Sequence, residues 1–437
     1  MPAFRDLILT AFILGLLPAV LLRPHWGILL WTWIGLMNPH KLTWGFAYDF
    51  PFAMIVGIVT MLAILFSREP KRLPMSAPVV ILLMFVVWMT VTTIFFSLFP
   101  DLAWPKWEKV MKIQLFIFLT LLVMQSEERI KALVLVATLS IAFFGIKGGV
   151  YTIAHGGGGK VLGPEGGFIG GNTEIALALT VTLPLMRWLQ LQTTNRWLRH
   201  GATVAMVLVC ISILGSYSRG GFLALTAMGA FLWIKSRKKI VLGVVLAALA
   251  FGLLSFMPET WHERIDTIQS YEKDRSAMGR IGAWRFATNL ALHRPIGGGG
   301  FEDFQPESYQ EYGPPDASVL DAHSIWFQVL GEHGFVGLGL FVLLWIAAWR
   351  TGSRVIRLCG KKPDFAWARD LAGMIQAALI GFMVGGSFLG LAYWDYPYIL
   401  VIVLVLTKVV VQRQLEQSRV QAVVTAAPAQ ARLGTQG

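Results

Sequence analysis

The chain has 437 residues, of which 55% are hydrophobic and only 14% charged, and its mean hydropathy is +0.62. This composition excludes a soluble enzyme, because uncharged segments that approach the roughly 20 residues of a spanning helix recur along the chain. The net charge of +12 would suit nucleic-acid binding, but the basic residues concentrate in short loops that alternate with loops poor in Lys and Arg. That alternation is the positive-inside pattern of a membrane protein, so we expect no nucleic-acid partner.

The apolar segments predict an all-α polytopic membrane protein with about twelve transmembrane helices, since a helix satisfies its own backbone hydrogen bonds in lipid. The predicted spans are 6–22 together with 26–37, 51–67, 77–99, 110–124, 130–154, 170–190, 200–216, 219–235, 239–257, 324–350, 369–391 and 394–412. The first two segments count here as one broken crossing, because the second is short for a span. Counting them separately gives thirteen spans with the N-terminal end outside.

Placing the basic loops inside divides the chain into five parts. These are N-terminal transmembrane helices at 1–169, core transmembrane helices at 170–257, one large outer loop containing helices at 258–323, C-terminal transmembrane helices at 324–412, and a cytoplasmic tail at 413–437 whose polar composition predicts disorder. The sequence shows no internal repeat of the kind that builds many transporters. One long outer loop therefore favours chemistry on the outer face over alternating access.

Lys147 is the first candidate for binding an anion, because it lies between glycines near the outer end of a span. A glycine-rich run at 155–167 follows it. This run lacks the closing Gly-Lys-Ser/Thr of a nucleotide-binding loop, so the pattern predicts a flexible outer loop with Lys147 as an additional phosphate ligand.

Arg219 is the second candidate, at the outer junction of two spans in the sequence Ser218-Arg219-Gly220. A cation near membrane depth is costly to desolvate and is a functional candidate by default. Glycine next to it would let a bulky anion approach the backbone. The alternative is an arginine that extends to lipid headgroups.

Arg280 and Trp284 are four residues apart, so they share one face of a helix. The segment 276–292 has amphipathic spacing and predicts a helix along the membrane surface. On it, Arg280 offers a planar fork to phosphate oxygens and Trp284 anchors the helix at the interface. Arg285 and Arg294 are nearby alternatives, and a surface helix with solvated arginines is the structural alternative.

His323 immediately precedes a span and is the best candidate for acid–base chemistry, because histidine titrates near neutral pH. It could equally bind phosphate. Glu332 lies farther along the same span and needs a cation, for which a salt bridge with an arginine is the simplest expectation.

The metal-binding patterns that would suggest a different chemistry are missing from the sequence. Neither an Asp-x-Asp pair in an outer loop nor His-Glu-x-x-His occurs, and Cys210 and Cys359 are far apart. We therefore expect neither a metal nor a cofactor.

At these positions the sequence resembles the bacterial O-antigen ligase family, which shares a core domain with O-antigen polymerases and certain bacterial protein O-oligosaccharyltransferases. The resemblance covers about 170–345. It rests on Ser218-Arg219-Gly220, Arg280-x-x-x-Trp284, His323-Ser-x-x-Phe327 and Leu330-Gly-Glu-x-Gly334, and the opening Leu22-Arg-Pro-His-Trp-Gly and Asn38-Pro-His-Lys resembles a subgroup described as O-glycosylation ligases.

The resemblance implies an inverting, metal-independent glycosyltransferase of the membrane-embedded type, in the bacterial inner membrane, with its large loop and active site at the periplasmic face. The donor would be a glycan on undecaprenyl pyrophosphate, and the acceptor a sugar hydroxyl of lipid A-core in lipopolysaccharide biosynthesis. Arg219 and Arg280 would hold the pyrophosphate, and His323 would bind phosphate or activate the acceptor hydroxyl. Ser324 stands where relatives often have Asn, and Asp395 is a weak match to a late acidic residue.

Three alternatives remain open at this point. An O-antigen polymerase would extend the glycan on its own lipid carrier, and a protein O-oligosaccharyltransferase would transfer it to protein. A transporter of the lipid-linked glycan belongs to another class and would carry coupled ionisable groups at mid-membrane.

Overall fold

The computed structural model describes residues 4–236, 238–259, 261, 275–315 and 318–431, and part of the predicted outer loop lies outside these ranges. In the described part all regular elements are helical, which confirms the all-α prediction. The helices are α1 Phe4–Leu22, α2 His25–Met37, α3 Phe52–Phe66, α4 Ala77–Phe95, α5 Pro100–Val123, α6 Glu127–Ala154, α7 Asn172–Gln192, α8 Arg196–Gly215, α9 Arg219–Lys235, α10 Lys239–Phe256, α11 Arg275–His293, α12 Pro306–Tyr312, α13 Ile325–Cys359, α14 Ala366–Gly386 and α15 Asp395–Ala431.

Several of these helices are long and apolar enough to cross a membrane. Within the described ranges there are nine, namely α1, α4, α6, α7, α8, α10, α13, α14 and α15, and α3 is a shorter apolar helix. The protein is thus a multi-pass membrane protein, although the predicted number of twelve crossings is not confirmed.

The first two helices form an antiparallel hairpin, which differs from the single broken crossing expected from the sequence. Phe12 of α1 packs edge-on against Trp33 of α2, with 5.5 Å between ring centroids. At the start of α1, Asp6 accepts hydrogen bonds from the backbone N–H groups of Gly45 and Ala47, at 3.1 and 2.9 Å. Since the latter two follow α2, the start of α1 and the end of α2 lie at the same end of the bundle.

One end of the bundle collects basic loops, and we call it the basic end. Here Arg129 pairs with Glu69 at 2.7 Å. The side chain of Gln125 donates to the carbonyl of Arg72 at 2.6 Å and accepts from Arg413 at 2.8 Å. These contacts join the α3–α4 loop, the α5–α6 loop and α15, as the positive-inside pattern predicts for loops on one side of a membrane.

The opposite end carries the long connections, and we call it the loop end. Its connections contact one another across large sequence separations. Tyr48 donates to Glu165 at 3.0 Å, and the backbone N–H of Leu98 donates to the carbonyl of Gly299 at 2.8 Å. The loops at this end are therefore packed together, including the glycine-rich run that was expected to be flexible.

The centre of the bundle is α15, in which every residue from 396 to 407 is buried. A helix that is apolar on all sides belongs in such a core. Helix α15 continues to Ala431, well beyond residue 413, where the sequence predicted a tail. Residues 432–437 lie outside the described part.

Helix α13 is interrupted at Gly334, whose φ of 65° and ψ of −168° are not helical. The glycine-rich loop after α11 runs beside the break and pairs with its backbone. The N–H of Gly299 donates to the carbonyl of Gly331 at 2.8 Å, and the N–H of Phe335 donates to the carbonyl of Pro295 at 2.9 Å. The broken helix thus holds the outer loop at the loop end by main-chain bonds.

Candidate active site at the loop end

Arg219 is the first residue of α9, and it is half-buried. The hydroxyl of Ser218 caps the helix by accepting from the N–H of Gly221 at 3.0 Å, as serine commonly does at this position. At the start of α7, Asn172 donates to the carbonyl of Ser216 at 2.8 Å. The turn that carries Arg219 is thereby fixed from both sides.

Helix α11 directs Trp284 into the protein. The indole N–H donates to the carbonyl of Ala322 at 2.8 Å. Its ring stacks on Phe327 with 5.1 Å between centroids and an angle of 9°. The expectation that Trp284 anchors the helix at the membrane interface is therefore corrected: the indole joins α11 to the start of α13. Arg280 lies one turn earlier on the same face and is half-buried.

His323 lies between Ala322 and the first turn of α13, with a φ of 42° in the left-handed region. The side chain is half-buried. Burial lowers the pKa of the imidazole from its ordinary value, and the positive charge of Arg280 lowers it further, whereas Asp321 and Glu174 act in the opposite direction. Near pH 7 the neutral imidazole is therefore favoured.

Phe388 lies between the regions that carry the candidates. Its ring centroid lies 6.4 Å from that of Trp284. A Cβ on Gly220, next to Arg219, would lie 3.5 Å from the Cβ of Phe388. The start of α9, the face of α11 and the residue before α13 therefore meet around a group of aromatic rings, and we call this region the aromatic-lined site.

Three other predicted cations are not among the contacts that define the aromatic-lined site. Lys147 and Arg285 are exposed, and no contact among the described residues joins them to His323. Arg294 instead donates to the carbonyl of Phe96 at 2.6 Å, at the end of α4. The roles expected for Lys147 and Arg285 remain predictions.

Glu332 is buried, and its partners differ from the arginine expected from the sequence. One carboxylate oxygen accepts from the hydroxyl of Tyr393. The other accepts from the backbone N–H of Glu302 at 3.4 Å. The cation nearby is Lys106, which pairs with Glu302 at 2.7 Å. This polar group stabilises the glycine-rich loop beside the break in α13.

Sequence reasoning gave no role to Glu174, Asp321 or Phe388, although the first two are the acidic groups whose charges act on His323. Glu174 stands in the first turn of α7 after two glycines, and this helix start is a signal that could have identified it. Ser324 has a buried hydroxyl without a hydrogen-bond partner in the described part of the chain. Asp395 lies against α2, with one carboxylate oxygen 3.4 Å from a Cβ position on Gly35.

Two family models match the chain. Residues 4–194 match a family of unknown function (DUF5935), and residues 204–342 match the O-antigen ligase family. No protein of curated function matches the sequence. The resemblance read from the motifs is thus confirmed over 204–342, the segment that contains Arg219, Arg280 and His323.

Proposed function

We propose that this protein is an O-antigen ligase. Its residues 204–342 match the core domain that O-antigen ligases share with O-antigen polymerases. It transfers a glycan from undecaprenyl pyrophosphate to a sugar hydroxyl of lipid A-core, as a step of lipopolysaccharide biosynthesis. The family implies lipid-linked glycan substrates, and the candidate helices imply contact with membrane lipids.

The convergence of the segments that carry Arg219, Arg280 and His323 is the observation that supports this proposal most directly. These segments carry two arginines and a histidine that favours its neutral form. A guanidinium matches phosphate oxygens with two parallel hydrogen bonds. Neutral imidazole can accept a proton from a hydroxyl. These are the two tasks that glycan transfer from a pyrophosphate requires.

In the proposed reaction, the oxygen of the acceptor hydroxyl attacks the anomeric carbon from the side opposite the pyrophosphate. The bond between the anomeric carbon and the pyrophosphate oxygen breaks, and its electron pair leaves with that oxygen. His323 takes the proton of the acceptor hydroxyl, while Arg219 and Arg280 stabilise the charge that grows on the leaving group. The configuration at the anomeric carbon is inverted.

The orientation follows from the charge distribution along the chain. Loops rich in Lys and Arg stay in the cytoplasm, which assigns the basic end to the cytoplasm and the loop end to the periplasm. We therefore assign the protein to the bacterial inner membrane with its active site facing the periplasm, where lipid A-core is accessible to a ligase.

The decisive experiment is reconstitution of the purified protein with undecaprenyl-pyrophosphate-linked glycan and lipid A-core, in the presence of EDTA. We expect glycan on lipid A-core, because the proposed mechanism uses arginines in place of a divalent cation. Transfer that requires added Mg²⁺ or Mn²⁺ would contradict the metal-independent mechanism. Movement of the lipid-linked glycan across the vesicle membrane without transfer would support a transporter.

Product analysis in the same assay separates the enzymes of this family. Longer glycans on the lipid carrier would identify a polymerase, which shares the core domain. Glycan on an added protein acceptor would identify a protein O-oligosaccharyltransferase. We expect neither when lipid A-core is present.

A further inference from the structure

A cavity lined by apolar side chains and three cations lies at the basic end, away from the aromatic-lined site. It has a volume of about 330 Å³ and opens between the start of α4, the second half of α13 and α15. This volume is within the range of about 300–1,000 Å³ that is typical of small-molecule pockets. Arg350 and Arg354 of α13 and Lys408 of α15 line the cavity.

Among the described residues, the cations of this cavity have no acidic partner. Its lining contains no carboxylate, and none of the three cations forms a salt bridge with the described part of the chain. Arg354 and Lys408 are close enough for their positive charges to interact; Lys408 is half-buried and Arg354 is exposed. Like charges held together at a partly buried position disfavour each other, and a bound anion would relieve this repulsion.

The start of α4 adds hydrogen-bond donors to the same cavity. Ser76 precedes the helix but makes no side-chain cap. Its hydroxyl oxygen is buried without a hydrogen-bond partner in the described ranges. Apart from Pro78, which has no N–H, the first N–H groups of the helix also lack partners within it, and a helix start favours negative charge. The cavity thus offers donors and positive charge to one anionic group.

Part of the cavity lining is apolar and exposed. Leu343 and Ile346 of α13 belong to it and are 49% and 46% exposed. Exposed apolar side chains on a spanning helix lie against acyl chains. We propose that this cavity binds the phosphodiester headgroup of an anionic phospholipid, whose acyl chains follow these side chains. With the proposed orientation, this lipid belongs to the cytoplasmic leaflet; the binding itself does not depend on the glycan-transfer activity.

The test measures phospholipid binding to the full-length protein in detergent. Phosphatidylglycerol, phosphatidylethanolamine and inorganic phosphate are titrated separately, and bound molecules are counted by native mass spectrometry. Of these three, we expect only phosphatidylglycerol to bind tightly. The variants Arg354→Gln and Lys408→Gln should each weaken it about fivefold, because a cation near anionic lipid contributes about 1 kcal/mol.

Arg357→Gln is the matched control, since Arg357 is exposed like Arg354 and lies on the same helix at the same end, but it does not line the cavity. It should leave phosphatidylglycerol binding unchanged. An equal loss in Arg357→Gln would overturn the proposal in favour of general surface attraction, and wild-type binding by the Arg354→Gln/Lys408→Gln double variant would overturn it outright. Equally tight binding of inorganic phosphate would show that the site does not recognise a lipid. Thermal unfolding without lipid verifies that the variants are folded.

Discussion

At the scale of single residues, the aromatic-lined site depends on side chains that are held by the backbone of other segments. Trp284 donates to the carbonyl beside His323, so one hydrogen bond sets the distance between α11 and the histidine. The left-handed backbone of His323 is an uncommon conformation for a residue other than glycine. Such conformations occur often at functional sites, which agrees with the proposed role of this residue.

Replacing the proposed pyrophosphate ligand should abolish glycan transfer. We expect Arg280→Ala to reduce the transfer rate about 10²–10³-fold, because it removes one contact to the charge that forms on the leaving group. His323→Ala should be similarly inactive, and both variants should reach wild-type amounts in the membrane. Transfer is measured with purified protein and the lipid-linked donor.

Arg285→Ala provides the comparison for this prediction, since Arg285 lies on the same helix but is exposed. We expect a smaller loss than for Arg280→Ala. Near wild-type transfer by Arg280→Ala or His323→Ala would remove that residue from the mechanism.

The pH dependence of transfer should reveal the charge state of His323. If the neutral imidazole accepts the proton, activity falls as the pH drops through the pKa of His323. Asp321 raises this pKa, so Asp321→Asn should lower it and move the acid limb of the rate profile to lower pH. Asp364→Asn, at the basic end, should leave the limb unchanged. Activity that is instead lost on the alkaline side would indicate a cationic histidine that binds phosphate.

At the scale of helices, the break in α13 follows from contacts that are distant in sequence. The sequence predicts an uninterrupted span over 324–350, because the local pattern of apolar residues continues through Gly334. The break depends on pairing with the loop after α11, in which a Cβ on Gly298 would lie 2.1 Å from the carbonyl oxygen of Gly331. Hydropathy does not encode this close approach of two backbones.

Gly334→Ala should destabilise the protein. The φ of 65° at this position strains any side chain, and an added Cβ would lie 2.5 Å from the carbonyl oxygen of Ile296. A backbone outlier of this kind costs on the order of 1–3 kcal/mol, so we expect a lower thermal unfolding midpoint. Unfolding in detergent is monitored by tryptophan fluorescence. Gly339→Ala in the same helix meets no atom within 4 Å and should unfold like the wild type. Equal midpoints for both variants would contradict the structural role of the break.

The sequence predicted the parts of the site that depend on chain order and charge. Arg219 and His323 could be proposed as candidates because each stands at the boundary of an apolar span, where a polar group has few structural explanations, and Arg280 because it shares a helix face with Trp284. The inward packing of Trp284 could not be predicted, since tryptophan is common both at membrane interfaces and in packed sites. The role of Phe388 was equally hidden, because one aromatic residue among many in apolar segments has no distinguishing local pattern.

At the scale of the whole molecule, the α1–α2 hairpin predicts on which side of the membrane helix α1 begins. The start of α1 contacts residues 45–47 at the loop end, so we expect it on the periplasmic side. Single cysteines at Phe4, Asp49 and Lys361, in a background without Cys210 and Cys359, can be labelled with a membrane-impermeant maleimide. The first two should react in cells with a permeabilised outer membrane, and the third only after the inner membrane is opened.

If Phe4→Cys instead reacts only after the inner membrane is opened, as Lys361→Cys does, the result would support the single broken crossing at 6–37. The cysteine at Asp49 is the internal reference for this experiment, because its loop lies outside in both alternatives. The same set of variants also tests the assignment of the loop end to the periplasm.

The burial of α15 over residues 396–407 has a consequence for biogenesis. This helix follows the other described helices in sequence, yet it occupies the middle of the bundle. Helices that are inserted earlier therefore remain loosely associated in the bilayer until α15 is inserted and packs between them. The membrane domain acquires its final packing late in synthesis, and proteins shortened before residue 395 should be degraded as unfinished intermediates.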